Sequence, residues 1–168
     1  GHPPDFPNSP PLTLAALFQP RMSSEQFTIS PDPNRLDVAL IHDYLSNHSY
    51  WAPGISRELV ERSIQHSMCF GVYAPDGRQA GFARIISDRT TFAYLCDVFV
   101  LEEFRGRGLS KQLMQFITEY PELQGLRRWM LATRDAHSLY AQYGFAPLAS
   151  PPRFMENAKL DPYRNPQS

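Results

Sequence analysis

The stretch from Thr91 to Ser110 constrains the fold of this chain more than any other. Aromatic and branched residues fill Thr91–Leu101, which reads as a long strand. The chain then passes through Glu102-Glu103-Phe104 into Arg105-Gly106-Arg107-Gly108-Leu109-Ser110. Beyond the glycines, Leu109, Leu113, Phe116, Ile117 and Tyr120 recur at helical spacing until Pro121 stops the pattern. Leu126–Thr133 is a second strand-like run. A strand, a helix and a strand in that order cross over to give a parallel pair.

The flanking sequence builds a sheet around that pair. Gln26–Ser30 alternates as a first strand. Asp32-Pro33 reads as the start of a helix whose stripe is Leu36, Leu40, Ile41, Tyr44 and Leu45. An aromatic-rich loop, His48–Ile55, separates it from a second helix capped by Ser56, with Glu58 and Arg62 paired one turn apart. Met68–Ala74 and Gln79–Ser87 form a hairpin across Pro75-Asp76-Gly77-Arg78, and a turn at Asp88–Thr90 leads into the long strand. After the crossover, Ala136–Tyr143 is a short helix, and Phe145–Leu148 and Pro152–Glu156 read as short closing strands. The fold class is mixed α/β (α+β): one central sheet, mostly antiparallel, flanked by helices. Residues 25–156 form the domain, with an N-terminal arm over 1–24 and a C-terminal tail over 157–168. The apolar run Leu12–Phe18 in that arm lacks the basic lead and small-residue cleavage site of a signal peptide.

Composition excludes several kinds of partner. A length of 168 residues suits one domain, and a net charge of -1 gives no footprint for nucleic acid or an anionic membrane surface. No stretch is long and apolar enough to span a bilayer. The five histidines are scattered and neither cysteine has a second close by, so no metal site is expected. Cys69 and Cys96 lie in apolar strands, which favours free thiols in a reducing compartment, taken as the cytoplasm.

The glycine loop is where chemistry is expected. The first amides of a helix have no partners within it, and the macrodipole adds roughly half a positive charge there. Glycines let backbone approach an anion, and Arg105 and Arg107 add donors. Taken alone, the hexapeptide fits a pyrophosphate cradle and a plain turn with solvated arginines equally well. A Walker A loop does not match because there is no Gly-Lys-Ser/Thr ending, and the dinucleotide fingerprint fails because Lys111 stands where a third glycine would be needed.

The whole segment from Val98 to Ser110 resembles the acetyl-CoA signature of the GNAT superfamily of N-acyltransferases. Leu139-Tyr140-Ala141-Gln142-Tyr143-Gly144-Phe145 is similar to the Leu-Tyr-x-x-x-Gly-Phe ending of the same family. The resemblance spans roughly residues 25–156. It departs at Ser110, where glycine or alanine is usual, and at Thr133, where many members have asparagine.

Membership implies direct transfer of an acetyl group from acetyl-CoA to a primary amine, without a covalent enzyme intermediate. It also implies a splayed gap between the two parallel strands. There the backbone of Val98 and Val100 binds pantetheine, the amide of Val98 or Phe99 polarises the thioester, and Arg105, Gly106, Arg107, Gly108, Leu109 and Ser110 hold the diphosphate. Tyr140 matches the tyrosine that protonates the leaving thiolate, with Tyr143 its weaker alternative. The resemblance places the acceptor wall at Tyr50-Trp51.

The residues themselves single out Asp97, a lone carboxylate in an apolar strand, as either the general base or a structural acceptor. His137, one turn before Tyr140, is a second candidate base and a cofactor contact. Cys96 beside Asp97 admits a thiol nucleophile, although no Cys-His-Asp order accompanies it. The expected acceptor is a small-molecule amine and the enzyme a monomer or homodimer. The rival readings are a protein or peptide amine and a non-catalytic acyl-CoA sensor.

Overall fold

A computed structural model describes residues 26–164. The expected arm over 1–24 lies outside the described residues. One sheet runs in the order β1 (Thr28–Ser30), β2 (Met68–Tyr73), β3 (Gln79–Ser87), β4 (Phe92–Val100) and β5 (Arg128–Leu131). The first four strands are antiparallel neighbours, and β5 lies parallel to β4. Helices α1 (Val38–Asn47) and α2 (Arg57–Gln65) precede β2, α3 (Leu109–Thr118) makes the crossover, and α4 (His137–Ala141) follows β5. This is the mixed, mostly antiparallel sheet that the sequence predicts.

Period-two alternation divides the core into two layers. In β3, Phe82 packs with Ile41, Leu45 and Val60 of α1 and α2. Its neighbours Ala83 and Ile85 join Leu113, Met114 and Ile117 of α3. The two helix sets therefore cover opposite faces, and β4 lies between them. Leu113 is fully buried, and cutting such a side chain to alanine costs about 2–5 kcal/mol.

Two expectations fail at the ends. Asp32 caps only a single 3-10 turn, Pro33–Arg35, because Leu36 returns to extended backbone; Asp37 then caps α1 through the amide of Leu40 at 3.1 Å. The closing strands expected at Phe145–Leu148 and Pro152–Glu156 do not form. Pro147, Pro151 and Pro152 have no N–H to give to a ladder, and the last two start a 3-10 turn, Pro151–Arg153. Phe145 instead packs edge-on to Trp129, with centroids 6.3 Å apart. Among the described residues, β5 is thus an edge strand. Residues 157–164 form no helix or strand, and Tyr163 packs against the layer under α1 and α2; the rest of the expected tail lies outside the described residues.

Candidate active site

The glycine loop opens α3 without a side-chain cap. Gly108 is the N-cap at φ 73°, a left-handed conformation costly for any residue with a Cβ, and Gly106 lies at φ 78°. The first intrahelical bond is Gln112 N–H to the Gly108 carbonyl at 3.1 Å. The amides of Leu109, Ser110 and Lys111 are therefore left pointing out of the helix start. A hollow of about 260 Å³ sits there, bordered by Val100, Arg105, Gly106, Gly108, Ser110 and Leu139 among others. Arg105 is only partly available to it. Its Nε donates to the Val100 carbonyl at 3.1 Å and a terminal nitrogen to the Tyr44 hydroxyl at 3.3 Å. Its first task is to lock the strand end to the loop. Arg107 reaches over the ring of Phe27, 5.7 Å from its centroid.

Upstream of this cradle the parallel strands part. Pairing runs from Phe92↔Arg128 to Leu95↔Leu131 and stops, while β4 continues to Val100. On its other side β4 carries a bulge. Arg84 pairs with Cys96 and Phe82 with Phe99, so Ala83 alone faces Asp97 and Val98. Asp97 takes the extra-residue strain at φ 53°. The gap opens into a cavity of about 410 Å³, lined by Tyr50, Trp51, Asp97, Val98, Arg134 and Tyr140 with their neighbours. Cradle and cavity thus lie at successive points along one strand, with the unpaired edge of Cys96–Val100 between them.

Asp97 is not an idle carboxylate. Oδ1 accepts from Trp51 Nε1 at 2.8 Å and Oδ2 from Arg84 Nε at 2.8 Å, and Arg84 also donates to Ser67 Oγ at 3.1 Å. Both oxygens are engaged with fixed donors, which favours the structural side of the two roles that the sequence left open. The same contact holds Trp51 on the cavity wall. Tyr50 closes the wall from above: its hydroxyl accepts the Arg134 amide at 3.0 Å.

Tyr140 is buried and faces the same cavity, and its hydroxyl has no hydrogen-bond partner among the described residues. Burial, with smaller contributions from Tyr50 and Asp135, pushes its phenol up to about 12. It is a neutral acid at any ordinary working pH. Tyr143 does not compete for that place, because its hydroxyl donates to the Lys111 carbonyl at 2.8 Å and ties α4 to α3.

His137 borders neither the cradle nor the Asp97 cavity. It lines an adjoining hollow of about 360 Å³ on the far side of Thr133 and Tyr140. Cys96 lies at the cavity but burial pushes its thiol up to about 11, and that of Cys69 to about 12; neutral thiols are poor nucleophiles. A hollow of about 650 Å³ along the outer edge of β5 holds no such constellation. The sequence reading missed Arg84 and Arg134. The first had a signal: a lone arginine in an apolar strand, next to a strand with a lone aspartate.

The family model for the acetyltransferase (GNAT) domain matches residues 65–147. The Gibberella zeae protein FG08082, an inferred acetyltransferase, is 31% identical over 69% of this chain and 76% of its own length. The crystal structure of an inferred GNAT-family acetyltransferase from Xanthomonas campestris pv. campestris is 53% identical, covers 83% of this chain and 97% of its own, and superposes with a TM-score of 0.81. A GNAT-family acetyltransferase from Elizabethkingia anophelis with acetyl-CoA bound shares the fold at 16% identity and TM-score 0.55, over 74% of this chain and 78% of its own. With 53% identity across nearly the whole of a GNAT-family chain, the protein belongs to the GNAT family of acetyltransferases.

Proposed function

We propose that this acetyltransferase moves an acetyl group from acetyl-CoA to the primary amine of a small molecule, by direct attack. The observation that carries this reading is the continuity of β4: an unpaired strand edge runs from the Asp97 cavity into a left-handed glycine cradle. Such an edge offers amides and carbonyls to an extended, amide-bearing arm. The cradle offers a helix start to phosphates. Those two features fit acetyl-CoA, and the acetyl-CoA-bound relative with the same fold supports the choice.

Acetyl-CoA supplies an activated thioester. The chain's own residues do the rest. An amide at Val98 or Phe99 stabilises the carbonyl oxygen as it gains charge. The amine nitrogen forms the new C–N bond as the C–S bond breaks, the amine loses a proton to solvent, and the departing sulfur takes one from the Tyr140 hydroxyl, which regains it from water. Asp97, held by Arg84 and Trp51, fixes the bulge and the acceptor wall rather than taking the proton. His137 lines the adjoining hollow with Tyr140 and not the Asp97 cavity.

The test is thiol release from acetyl-CoA against a panel of small amines and lysine peptides. Release with small amines supports the reading. Saturable CoA binding with no release on any amine supports a sensor, and release with peptides alone supports a protein acceptor.

A further inference from the structure

Arg134 and Tyr50 are joined twice. The Arg134 amide donates to the Tyr50 hydroxyl at 3.0 Å, and the Arg134 guanidinium lies 3.9 Å from the centroid of the Tyr50 ring. A guanidinium stacked on a ring keeps its N–H donors in its own plane, so stacking fixes the fork and leaves its edge open. Among the described residues, Arg134 forms no ion pair. It lines the same cavity as Asp97, Asp135 and Tyr140.

Asp97 is neutralised by Arg84 at 2.8 Å. Arg134 and Asp135 remain, one cation and one anion. Both line the cavity alongside Tyr50 and Tyr140. The cation is held on the face of Tyr50.

We infer that Arg134 is the specificity-determining residue of the acceptor site, and that the acceptor amine carries an anionic group, a carboxylate or a phosphate, which Arg134 binds through its fork. The inference rests on the acetyltransferase reading above and deepens it. The anion lies against the guanidinium over Tyr50, and the amine reaches the thioester within the same cavity as Tyr140. A fixed arginine fork suits such an oxyanion, and it is a stronger contact than a neutral hydrogen bond.

The experiment measures kcat/KM by thiol release for amine pairs that differ only in the anion. The pairs are amino acids against their decarboxylated amines, and phosphoethanolamine against ethanolamine. The expected result is a preference of about tenfold or more for the anionic member of one series, which also tells carboxylate from phosphate. Arg134→Gln should bring that ratio close to one, and Arg134→Lys should restore part of it. Equal losses for both members of every pair would make Arg134 a loop brace and overturn the inference, as would a wild-type enzyme with no preference. If no amine releases thiol, the acetyltransferase reading fails separately. Quenching of Trp51 fluorescence by N-acetylated amino acids and inorganic phosphate, in a Trp129→Phe background, then decides the anion site. Quenching that Arg134→Gln abolishes supports it, and quenching absent or unaltered by that change overturns it.

Discussion

The guanidinium of Arg84 donates to Asp97 Oδ2 at 2.8 Å across the β-bulge that sets Asp97 at φ 53°. The ion pair and the bulge are one device. Without the extra residue Asp97 and Val98 would take the ordinary alternation of β4, and without the ion pair a carboxylate would be stranded in an apolar strand. The side chains of the pair are only 17% and 11% exposed.

Removing one partner should therefore be costly. Asp97→Ala leaves a mostly buried guanidinium, and about 3 kcal/mol of stability should go with it. Replacing both residues by uncharged ones, Arg84→Met with Asp97→Gly, which accepts φ 53°, should recover much of that stability while leaving activity low, because Trp51 loses its anchor. Urea unfolding and thiol release on the two variants check this. A single variant as stable as the parent would show that the pair holds nothing.

How far the sequence reveals this site depends on the range of each interaction. The cradle is legible because glycine at positive φ followed by a helical stripe is a local pattern, complete within Arg105–Ile117. Asp97 is legible as an exception, but its meaning depends on Arg84, and the two meet only through the β3–β4 register. The bulge has no glycine to mark it. Arg134 and Tyr50 are 84 residues apart, and stacking leaves no trace in either neighbourhood. Phe145–Leu148 shows the opposite failure: a strand-like pattern was present, but Pro147 and its successors gave the edge of β5 nothing to pair with.

At the cradle, Gly108→Ala should act through backbone conformation alone. A Cβ there meets nothing within 4 Å, so no clash opposes it, yet φ 73° costs a non-glycine residue about 1–2 kcal/mol. The chain relieves that strain by turning the α3 start away. The KM for acetyl-CoA should rise several-fold while kcat with saturating acetyl-CoA changes little. A variant with parental KM would remove the first-turn amides from phosphate binding.

The cysteines give a prediction of silence. With thiols pushed up to about 12 at Cys69 and about 11 at Cys96, neither is ionised near neutral pH. Iodoacetamide should modify the folded protein slowly and the urea-unfolded protein fast, and Cys96→Ala should retain turnover. Mass spectrometry during turnover should find no acetylated enzyme. Acetylation of Cys96 would replace direct attack with a two-step route through the thiol.

Tyr140 ties stability and catalysis to pH in opposite windows. Its phenol is held near 12, against an ordinary value of 10.0, chiefly by burial. The neutral form is the stable one in the fold. Stability is therefore whole below pH 10 and declines as pH rises from about 10 toward 12, where the unfolded chain releases a proton that the folded one keeps. Catalysis follows the folded value. A proton donor titrating near 12 stays loaded while the acceptor amine is deprotonated, so kcat/KM should climb with pH and show no falling limb around 10. Tyr140→Phe should lower kcat on the order of 10²-fold, with binding of acetyl-CoA kept, since the ring still packs edge-on to Phe145 at 6.1 Å. Full activity in that variant across the pH range would transfer the proton to water and reduce Tyr140 to a wall of the cavity.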